Sequence, residues 1–289
     1  MRRPSAGKQA VQLSVGVDVG GTWVRVHALA DGHRVARAKA RTSDVPEVGT
    51  FLRTLWRRRQ WRARDVGALV IASRGIWTTL ERRALATRLR SLARRVVVYS
   101  DAQVALLGAL GDRPGVLILS GTGSIVIGYD ERGRWGRAGG FGPLLGDEGS
   151  GFWIGREWLR VTTQGEDFPP ARRLVHDRHP VARIAALAPM VVARARRGDG
   201  RAQAIVTEAQ RDLAALALAV ARRLHLRAPV AVSWSGSVAG DPWFRRGLAR
   251  AVKRAGIRAR WHAPIEDPVS AAAHLAERSQ GRSSPSPCD

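Results

Sequence analysis

Residues 116–128 read VLILSGTGSIVIG, two short apolar runs joined by Gly121, Thr122, Gly123 and Ser124. Branched residues dominate both runs, and each run is short enough for a buried strand. The four residues of the join are small, so their backbone N–H groups can point outward at an anion. An isolated GTGS is more simply interpreted as a hairpin turn. A phosphate-binding role therefore requires a second phosphate loop, a base and a substrate site elsewhere in the chain.

The chain has 289 residues, of which 45% are hydrophobic, as is normal for a globular protein. This length is enough for two domains, each with its own core. The longest apolar stretches are too short and too often interrupted by Gly or Ser to span a bilayer. The basic start MRRPSAGKQA leads into an alternating VQLSVGVDV and not into a continuous apolar segment. No export signal is visible, so we expect a cytoplasmic protein without membrane association.

The single cysteine, Cys288, lies in the polar tail SQGRSSPSPCD. One cysteine excludes a disulfide framework, a cysteine-based zinc site and an iron–sulfur cluster within one chain. The polar composition predicts that residues 280–289 form a disordered tail.

The formal net charge of +24 suggests a polyanionic partner. Nucleic acid is one candidate, but almost all of the cationic residues are arginines in scattered clusters, many of them alternating with alanine. This pattern is typical of biased codon usage on solvated surfaces, so nucleic acid is the less favoured partner. Attraction of a nucleotide is a simpler use of the same field. The sequence leaves a homodimer open.

The order of predicted elements repeats although the sequence does not. Residues 11–19 alternate apolar and polar, and two further strands follow with an Asp31-Gly32 turn between them. Helical and strand patterns then give the order βββαβαβα up to residue 110, and a second βββ set begins at residue 116. Later patterns predict a continuous helix over 181–196, a strand over 230–234 and a last helix over 267–278.

This order predicts an α/β protein of two like domains, each opening with three antiparallel strands and facing the other across a cleft. The N-terminal domain is expected over 11–114, joined by the C-terminal helix at 267–279. The second domain is expected over 115–266.

The first candidate phosphate loop is DVGGTW, residues 18–23. Gly20 and Gly21 permit close approach of a phosphate, and the Thr22 hydroxyl can add a hydrogen bond. A carboxylate beside phosphate is unfavourable unless a cation separates them, so Asp18 indicates a Mg²⁺ site. A plain hairpin with an exposed Asp is an equal alternative for this motif alone. The matching position of Gly121–Ser124 at the start of the second half favours two loops that grip one polyphosphate.

Asp101 follows the strand VVVYS and starts a helix. Its simplest role is an N-cap, which is worth about 1 kcal/mol. Open α/β sheets also bind ligands at the carboxyl ends of strands, where this carboxylate could accept a proton from a substrate hydroxyl. The sequence leaves both roles open.

Two further segments suit small-molecule recognition. Residues 139–151, GGFGPLLGDEGSG, surround Asp147 and Glu148 with glycines. These acids could accept hydrogen bonds from sugar hydroxyls, beside Ser150 and Gly151 at the start of the next helix. The small-residue turn at Gly236 and Ser237 could pack against the face of a purine, although it is weak evidence by itself.

Taken in this order, DVGGT, the strand-end Asp101, LSGTGS and GGFGPLLGDEGSGFWIG resemble the BadF/BadG/BcrA/BcrD ATPase family, and within it the N-acetylglucosamine kinase-like proteins. The resemblance covers nearly the whole chain and is most specific over 117–155. It implies the actin-like ATPase fold, with two ribonuclease-H-like domains closing on Mg-ATP. It also implies phosphate contacts at Gly20–Thr22 and Gly121–Ser124, adenosine contacts at Gly236–Val238, a catalytic base at Asp101 and a sugar contact at Asp147.

The sequence departs from the family at two places. The first sugar loop, ARTSDVPEVG at 40–49, lacks the usual Asn and offers Thr42, Ser43 and Asp44 instead. Arg74 replaces a small residue after the strand that ends at Ala72. Arg74 therefore suggests an anionic group on the substrate, such as the lactyl group of a muramic sugar, unless Asp44 is its partner.

Three functions are compatible with these motifs. The favoured one is an ATP-dependent kinase for an amino sugar of the N-acetylglucosamine or glucosamine type. A nucleotide-binding protein without catalytic activity is the alternative. An activator of 2-hydroxyacyl-CoA dehydratases is less favoured, because such activators need cysteines for a cluster between subunits and this chain has only Cys288.

Overall fold

The structure is a computed structural model that describes residues 12–163 and 168–280. Its strands are β1 (Leu13–Val19), β2 (Trp23–Ala30), β3 (His33–Arg41), β4 (Val66–Ser73), β5 (Arg95–Ser100), β6 (Gly115–Ser120), β7 (Ser124–Tyr129), β8 (Trp135–Gly139), β9 (Val230–Ser235) and β10 (Ala259–Trp261). Its helices are α1 (Val48–Arg59), α2 (Thr79–Leu89), α3 (Asp101–Leu110), α4 (Gly151–Thr162), α5 (Phe168–Val175), α6 (Pro180–Ala185), α7 (Ala188–Arg196), α8 (Gly200–Arg223), α9 (Ser237–Gly240), α10 (Pro242–Arg254) and α11 (Pro268–Gln280).

The chain divides into two compact units. Unit 1 comprises the described residues up to Gly108 and those from Glu266 onward, and unit 2 runs from Ala109 to Ile265. The C-terminal helix α11 thus belongs to unit 1.

Unit 1 contains a five-stranded sheet in the order β3-β2-β1-β4-β5. The β1–β2 and β2–β3 pairs are antiparallel, whereas β1, β4 and β5 run parallel, so their carboxyl ends lie at one edge. One face packs on Leu52 and Trp56 of α1, and the other packs on α11. A methyl group built on Gly16 of β1 would lie 2.1 Å from the backbone nitrogen of Ala273, so only glycine lets α11 approach this closely.

Unit 2 repeats this topology with the order β10-β9-β6-β7-β8. The β6–β7 and β7–β8 pairs are antiparallel, and β6, β9 and β10 run parallel. The 24-residue helix α8 supplies much of the core, including Leu213, Ala217 and Val220. The predicted pair of three-stranded openings is therefore correct. The segments Gly20–Thr22 and Gly121–Ser124 each follow the first strand of a sheet.

Two sequence predictions of helix extent were wrong. The helix expected over 181–196 is two helices, α6 and α7, because Pro189 lies in the first turn of α7 and cannot donate a hydrogen bond to a preceding turn. Residue 280, where the tail was expected to begin, belongs to a helix. Gln280 ends α11, and its side-chain nitrogen donates to the Leu13 carbonyl over 3.0 Å and to Ser14 Oγ over 2.7 Å.

Residue 11 and the tail at 281–289, including Cys288, lie outside the described residues. Within the described ranges, no helix combines the length and the apolar character that a membrane span requires.

Candidate functional site

Three parallel strands of unit 1 deliver the predicted residues to one edge of the sheet. Loop 1 (Gly20–Thr22) follows β1, Arg74 follows β4 and Asp101 follows β5. The Arg74 backbone N–H donates to the Val19 carbonyl over 3.2 Å, which ties the end of β4 to the start of loop 1. Because parallel strands end at the same edge, the register alone brings these residues together.

Loop 1 is held by its own backbone and by Thr42. The Gly20 N–H donates to the Trp23 carbonyl over 3.0 Å, and Thr42 Oγ1 donates to the Gly20 carbonyl over 2.9 Å. Gly21 and Thr22 are exposed. Thr42, considered above for sugar recognition, thus supports loop 1, and Gly21 and Thr22 are the exposed residues of that loop.

Ser43 and Asp44 lie in a single 3₁₀ turn after β3. Ser43 Oγ donates to Asp44 Oδ1 over 2.8 Å, and both residues are exposed.

Asp18 lies at the end of β1, is only 5% exposed, and forms an ion pair with Arg25 on β2. Arg25 Nη1 lies 3.0 Å from Asp18 Oδ2. Burial raises the pKa of Asp18 from 3.8 to about 6, although Arg25 opposes the shift, and the charges of Asp101 and Asp267 add to the rise. Arg25 therefore supplies a positive charge beside the Asp18 carboxylate. From the sequence, only Mg²⁺ was expected to fill that role.

Ser100, and not Asp101, caps helix α3. The Gln103 N–H donates to Ser100 Oγ over 3.2 Å, and the Ser100 N–H donates to Gln103 Oε1 over 3.1 Å. This reciprocal pair is a capping box. Asp101 is the first helical residue, and its Oδ1 accepts from the adjacent Ala102 N–H over 2.8 Å. Burial raises the pKa of Asp101, while the Ala102 N–H and the nearby Arg74 charge lower it.

Arg74 places its guanidinium over loop 1. A methyl group built on Gly21 would lie 3.1 Å from Arg74 Nη1. The same charge is near enough to lower the pKa of Asp101. The side chain is exposed.

Loop 2 (Gly121–Ser124) of unit 2 is anchored to the start of α4. The Gly151 N–H donates to the Gly121 carbonyl over 2.7 Å, and the Phe152 N–H donates to the Thr122 carbonyl over 3.1 Å. Ser150 caps α4 by accepting from the Trp153 N–H over 3.1 Å. Thr122 is the exposed member of the loop. The start of α4 thus holds the backbone of loop 2 in place, and Thr122 remains exposed to a ligand.

Ser124 and Asp147 are buried in unit 2 and are joined by a hydrogen bond. Ser124 Oγ donates to the Glu148 carbonyl over 2.7 Å, and the Ser124 N–H donates to Asp147 Oδ1 over 3.3 Å. Asp147 is 7% exposed and adopts a left-handed φ of 61°. Burial raises the pKa of Asp147, and the Glu148 charge adds to that rise. The Asp147 carboxylate therefore faces loop 2, a placement that the sequence did not reveal.

The turn at Gly236 and Ser237 lies directly against loop 2. A methyl group on Gly121 would lie 3.7 Å from Gly236 Cα, an ordinary contact distance. Gly236 has a φ of 92°, and a methyl group there would lie 2.3 Å from the Ser120 carbonyl oxygen. Unit 2 thus brings its predicted phosphate and adenosine segments together.

The described residues contain no group of three or more His, Cys, Asp or Glu side chains arranged to hold a metal. Kinase Mg²⁺ is held by substrate phosphates and one or two carboxylates, so such a group is not required. Asp18 fits this pattern as a single carboxylate, whose Oδ2 accepts from Arg25.

A cavity of about 780 Å³ in unit 2 contains none of the predicted site residues. Its lining includes Arg113, Arg260 and His262. Arg113 precedes the start of β6, whereas loop 2 follows the end of that strand. In each unit the predicted site residues lie in the loops and at the strand ends, and not at this cavity.

A sequence model of the BadF/BadG/BcrA/BcrD ATPase family matches residues 15–274. An N-acetylmuramic acid/N-acetylglucosamine kinase of Clostridium acetobutylicum is 35% identical over 105 residues, covering 36% of this chain and 34% of that protein. An N-acetyl-D-glucosamine kinase of Dictyostelium discoideum is 30% identical over 177 residues, covering 54% of this chain and 56% of that protein. The matches thus span about a third and about half of these curated relatives.

Solved structures share the fold over most of both chains. A candidate N-acetylglucosamine kinase from Chromobacterium violaceum superposes with a TM-score of 0.65 at 25% identity, covering 92% of this chain and 99% of the other. A ROK family glucokinase from Streptomyces griseus, solved with glucose and AMPPNP, gives a TM-score of 0.61 at 21% identity, with coverage of 92% and 99%. The fold is the actin-like ATPase fold that the motifs predicted.

Proposed function

Because this chain belongs to the BadF/BadG/BcrA/BcrD ATPase family, we propose that it is an ATP-dependent kinase that phosphorylates a hydroxyl of an amino sugar of the N-acetylglucosamine or glucosamine type. The observation that carries the proposal is the placement of Asp101 at the strand edge of loop 1, with the capping of α3 left to Ser100. The names of both curated relatives support an amino sugar as the acceptor.

Asp101 acts as the general base. A substrate hydroxyl oxygen forms a bond to the γ-phosphorus while the bond from that phosphorus to the β,γ-bridging oxygen breaks, and ADP leaves with the bonding electron pair. The hydroxyl proton passes to the Asp101 carboxylate. Burial raises the pKa of this carboxyl, which brings the base closer to neutral operating conditions.

Each of the two loops binds nucleotide phosphate through its own backbone. Gly21, Thr22 and Thr122 are the exposed members of the two loops, so they supply the contacts. Gly123 and Ser124 support loop 2 beneath Thr122, because Ser124 is committed to Asp147 and Glu148. Gly236 and Ser237 contact the adenosine beside loop 2.

The acceptor sugar is recognised by acidic and hydroxyl groups. Asp147 and Glu148 contribute from the segment that supports loop 2. Ser150 and Gly151, also expected to contribute, are buried and committed to the Trp153 N–H and the Gly121 carbonyl. In unit 1, Ser43 and Asp44 lie in the exposed turn after β3. Carboxylates accept hydrogen bonds from sugar hydroxyls. A ligand that lacks such a hydroxyl would leave the carboxylate without a partner and would bind more weakly, which makes the site specific.

Mg²⁺ would be held by the nucleotide phosphates and Asp18, where it supplies charge neutralisation to the phosphoryl group being transferred. Arg25 keeps Asp18 in place through the 3.0 Å ion pair.

The deciding experiment measures ADP release from ATP and Mg²⁺ with glucosamine, N-acetylglucosamine, N-acetylmuramic acid, glucose and no sugar. We expect release that depends on an amino sugar and that stops in Asp101→Asn or after chelation of Mg²⁺. Nucleotide binding without sugar-dependent release would favour the non-catalytic alternative. Turnover restricted to glucose would retain the kinase and exclude the amino sugar.

A further inference from the structure

Arg74 places a positive charge beside loop 1 and Asp101. From the sequence, this residue suggested an anionic substrate group. We propose that Arg74 binds the γ-phosphoryl group of ATP and stabilises it during transfer. This inference rests on the proposed kinase function and gives Arg74 a role in every turnover, whichever sugar is the acceptor.

The placement of the guanidinium is the first support. Arg74 Nη1 would lie 3.1 Å from a methyl group on Gly21, so it covers the exposed glycine of the phosphate loop. The adjacent strand β5 ends at Asp101, whose carboxylate feels the Arg74 charge. Since the γ-phosphoryl must pass from the loop to the hydroxyl that Asp101 deprotonates, a cation beside both lies on the path of transfer.

The second support is that the guanidinium has no carboxylate partner close by. Among residues 12–163 and 168–280, no acidic oxygen lies within 4.0 Å of it, although nine ion pairs are formed elsewhere in those ranges. Asp44, considered above as its partner, accepts instead from Ser43. The Arg74 backbone N–H donates to the Val19 carbonyl, which fixes where the side chain begins. The side chain itself is exposed and can contact a ligand.

The chemistry of arginine suits this position. Its planar guanidinium can donate two parallel hydrogen bonds to phosphoryl oxygens and stays charged at any working pH. In phosphoryl transfer the charge spreads over three equatorial oxygens, and an arginine that reaches them is worth roughly 10³-fold or more in kcat. An Arg74 contact with a substrate lactyl group would instead affect only a muramic acceptor.

The test compares Arg74→Ala and Arg74→Lys with wild type, using Arg83→Ala on the exposed face of α2 as a matched loss of one surface charge. Calorimetry measures the affinities for ADP and for the non-hydrolysable analogue AMPPNP. Kinetics measure kcat and KM with N-acetylglucosamine, glucosamine and N-acetylmuramic acid.

We expect Arg74→Ala to lower kcat at least about 100-fold on every sugar that wild type accepts, with little change in sugar KM. Its affinity for AMPPNP should fall while its affinity for ADP is retained, and Arg74→Lys should restore part of both losses. Arg83→Ala should match wild type.

Two outcomes would overturn the role of Arg74. One is a loss confined to N-acetylmuramic acid, which would assign Arg74 to the substrate carboxylate. The other is unchanged kcat and unchanged AMPPNP affinity. If wild type binds AMPPNP but phosphorylates no sugar, the proposed function fails while the comparison of AMPPNP with ADP still decides the Arg74 contact. If wild type binds neither nucleotide, both proposals fail.

Discussion

Ser100 and Gln103 bond to each other reciprocally at the start of α3, with the Gln103 N–H 3.2 Å from Ser100 Oγ and the Ser100 N–H 3.1 Å from Gln103 Oε1. Asp101 lies between them in sequence and takes no part in this pair. The cap and the proposed base are therefore different residues, and mutations can separate them.

Asp101→Asn should lower kcat by roughly 100-fold or more, because general-base assistance is lost. It should not lower stability, since burial raises the pKa of Asp101 and its charge therefore does not stabilise the fold. Ser100→Ala should instead destabilise the protein by about 1 kcal/mol through loss of the cap. Steady-state kinetics and urea unfolding of both variants check this. Near-normal turnover in Asp101→Asn would remove Asp101 from the mechanism.

Gly21→Val and Gly121→Val should each weaken ATP binding while leaving the protein folded. At Gly121 the nearest atom to an added Cβ is an ordinary 3.7 Å away, and at Gly21 it is the flexible end of Arg74. Neither glycine is required by the fold, so the ligand is what a branched side chain would obstruct. Calorimetry of ATP binding measures the effect, with Gly200→Ala as a control because an added Cβ there meets nothing within 4 Å. Unchanged affinity in a folded variant would reduce that loop to a hairpin.

Asp18 should make stability depend on pH. Its pKa is about 6 in the folded protein and 3.8 when unperturbed, so the folded state binds the proton more tightly than the unfolded chain. The resulting stabilisation is complete below pH 3.8 and is lost as the pH rises through about 6. At about 1.4 kcal/mol per pKa unit, the loss reaches roughly 3 kcal/mol.

Asp18→Asn should therefore gain stability relative to wild type between pH 4 and pH 7, because the asparagine does not ionise. Urea midpoints of both proteins across this range provide the measurement, and their difference cancels the titration of other groups. A constant difference would show that Asp18 has an ordinary pKa.

Asp147→Asn should raise the KM for the acceptor sugar about tenfold or more, if a carboxylate hydrogen bond to a hydroxyl is lost. The amide oxygen can still accept from the Ser124 N–H, so loop 2 and ATP affinity should be retained. Asp147→Ala removes that acceptor as well and should weaken both ligands. An Asp147→Asn variant with normal sugar KM and poor ATP affinity would restrict Asp147 to supporting loop 2.

The local patterns of the sequence determined the strands, most helices and the positions of the two glycine-containing loops. Period-two alternation over 11–19 and the Asp31-Gly32 turn predict hairpins because side-chain direction and turn geometry depend on neighbouring residues alone. The repeated order of elements then predicts two sheets of equal topology, which the structure contains. Ser100-x-x-Gln103 was also readable as a capping signature, although it was missed. The break at Pro189 was readable for the same reason.

Only the tertiary structure decided which polar groups remain open to a ligand. Arg25 reaches Asp18 across a strand pair, Thr42 reaches loop 1 from beyond β3, and Ser124 reaches Asp147 across 23 positions. These partners depend on strand register and loop packing, which bring residues together regardless of their separation in sequence. A carboxylate or hydroxyl looks equally available in the sequence whether its partner is water, a ligand or another side chain. Arg74 acquired its proposed role in this way, because the register of β1, β4 and β5 placed its charge beside Gly21 and Asp101.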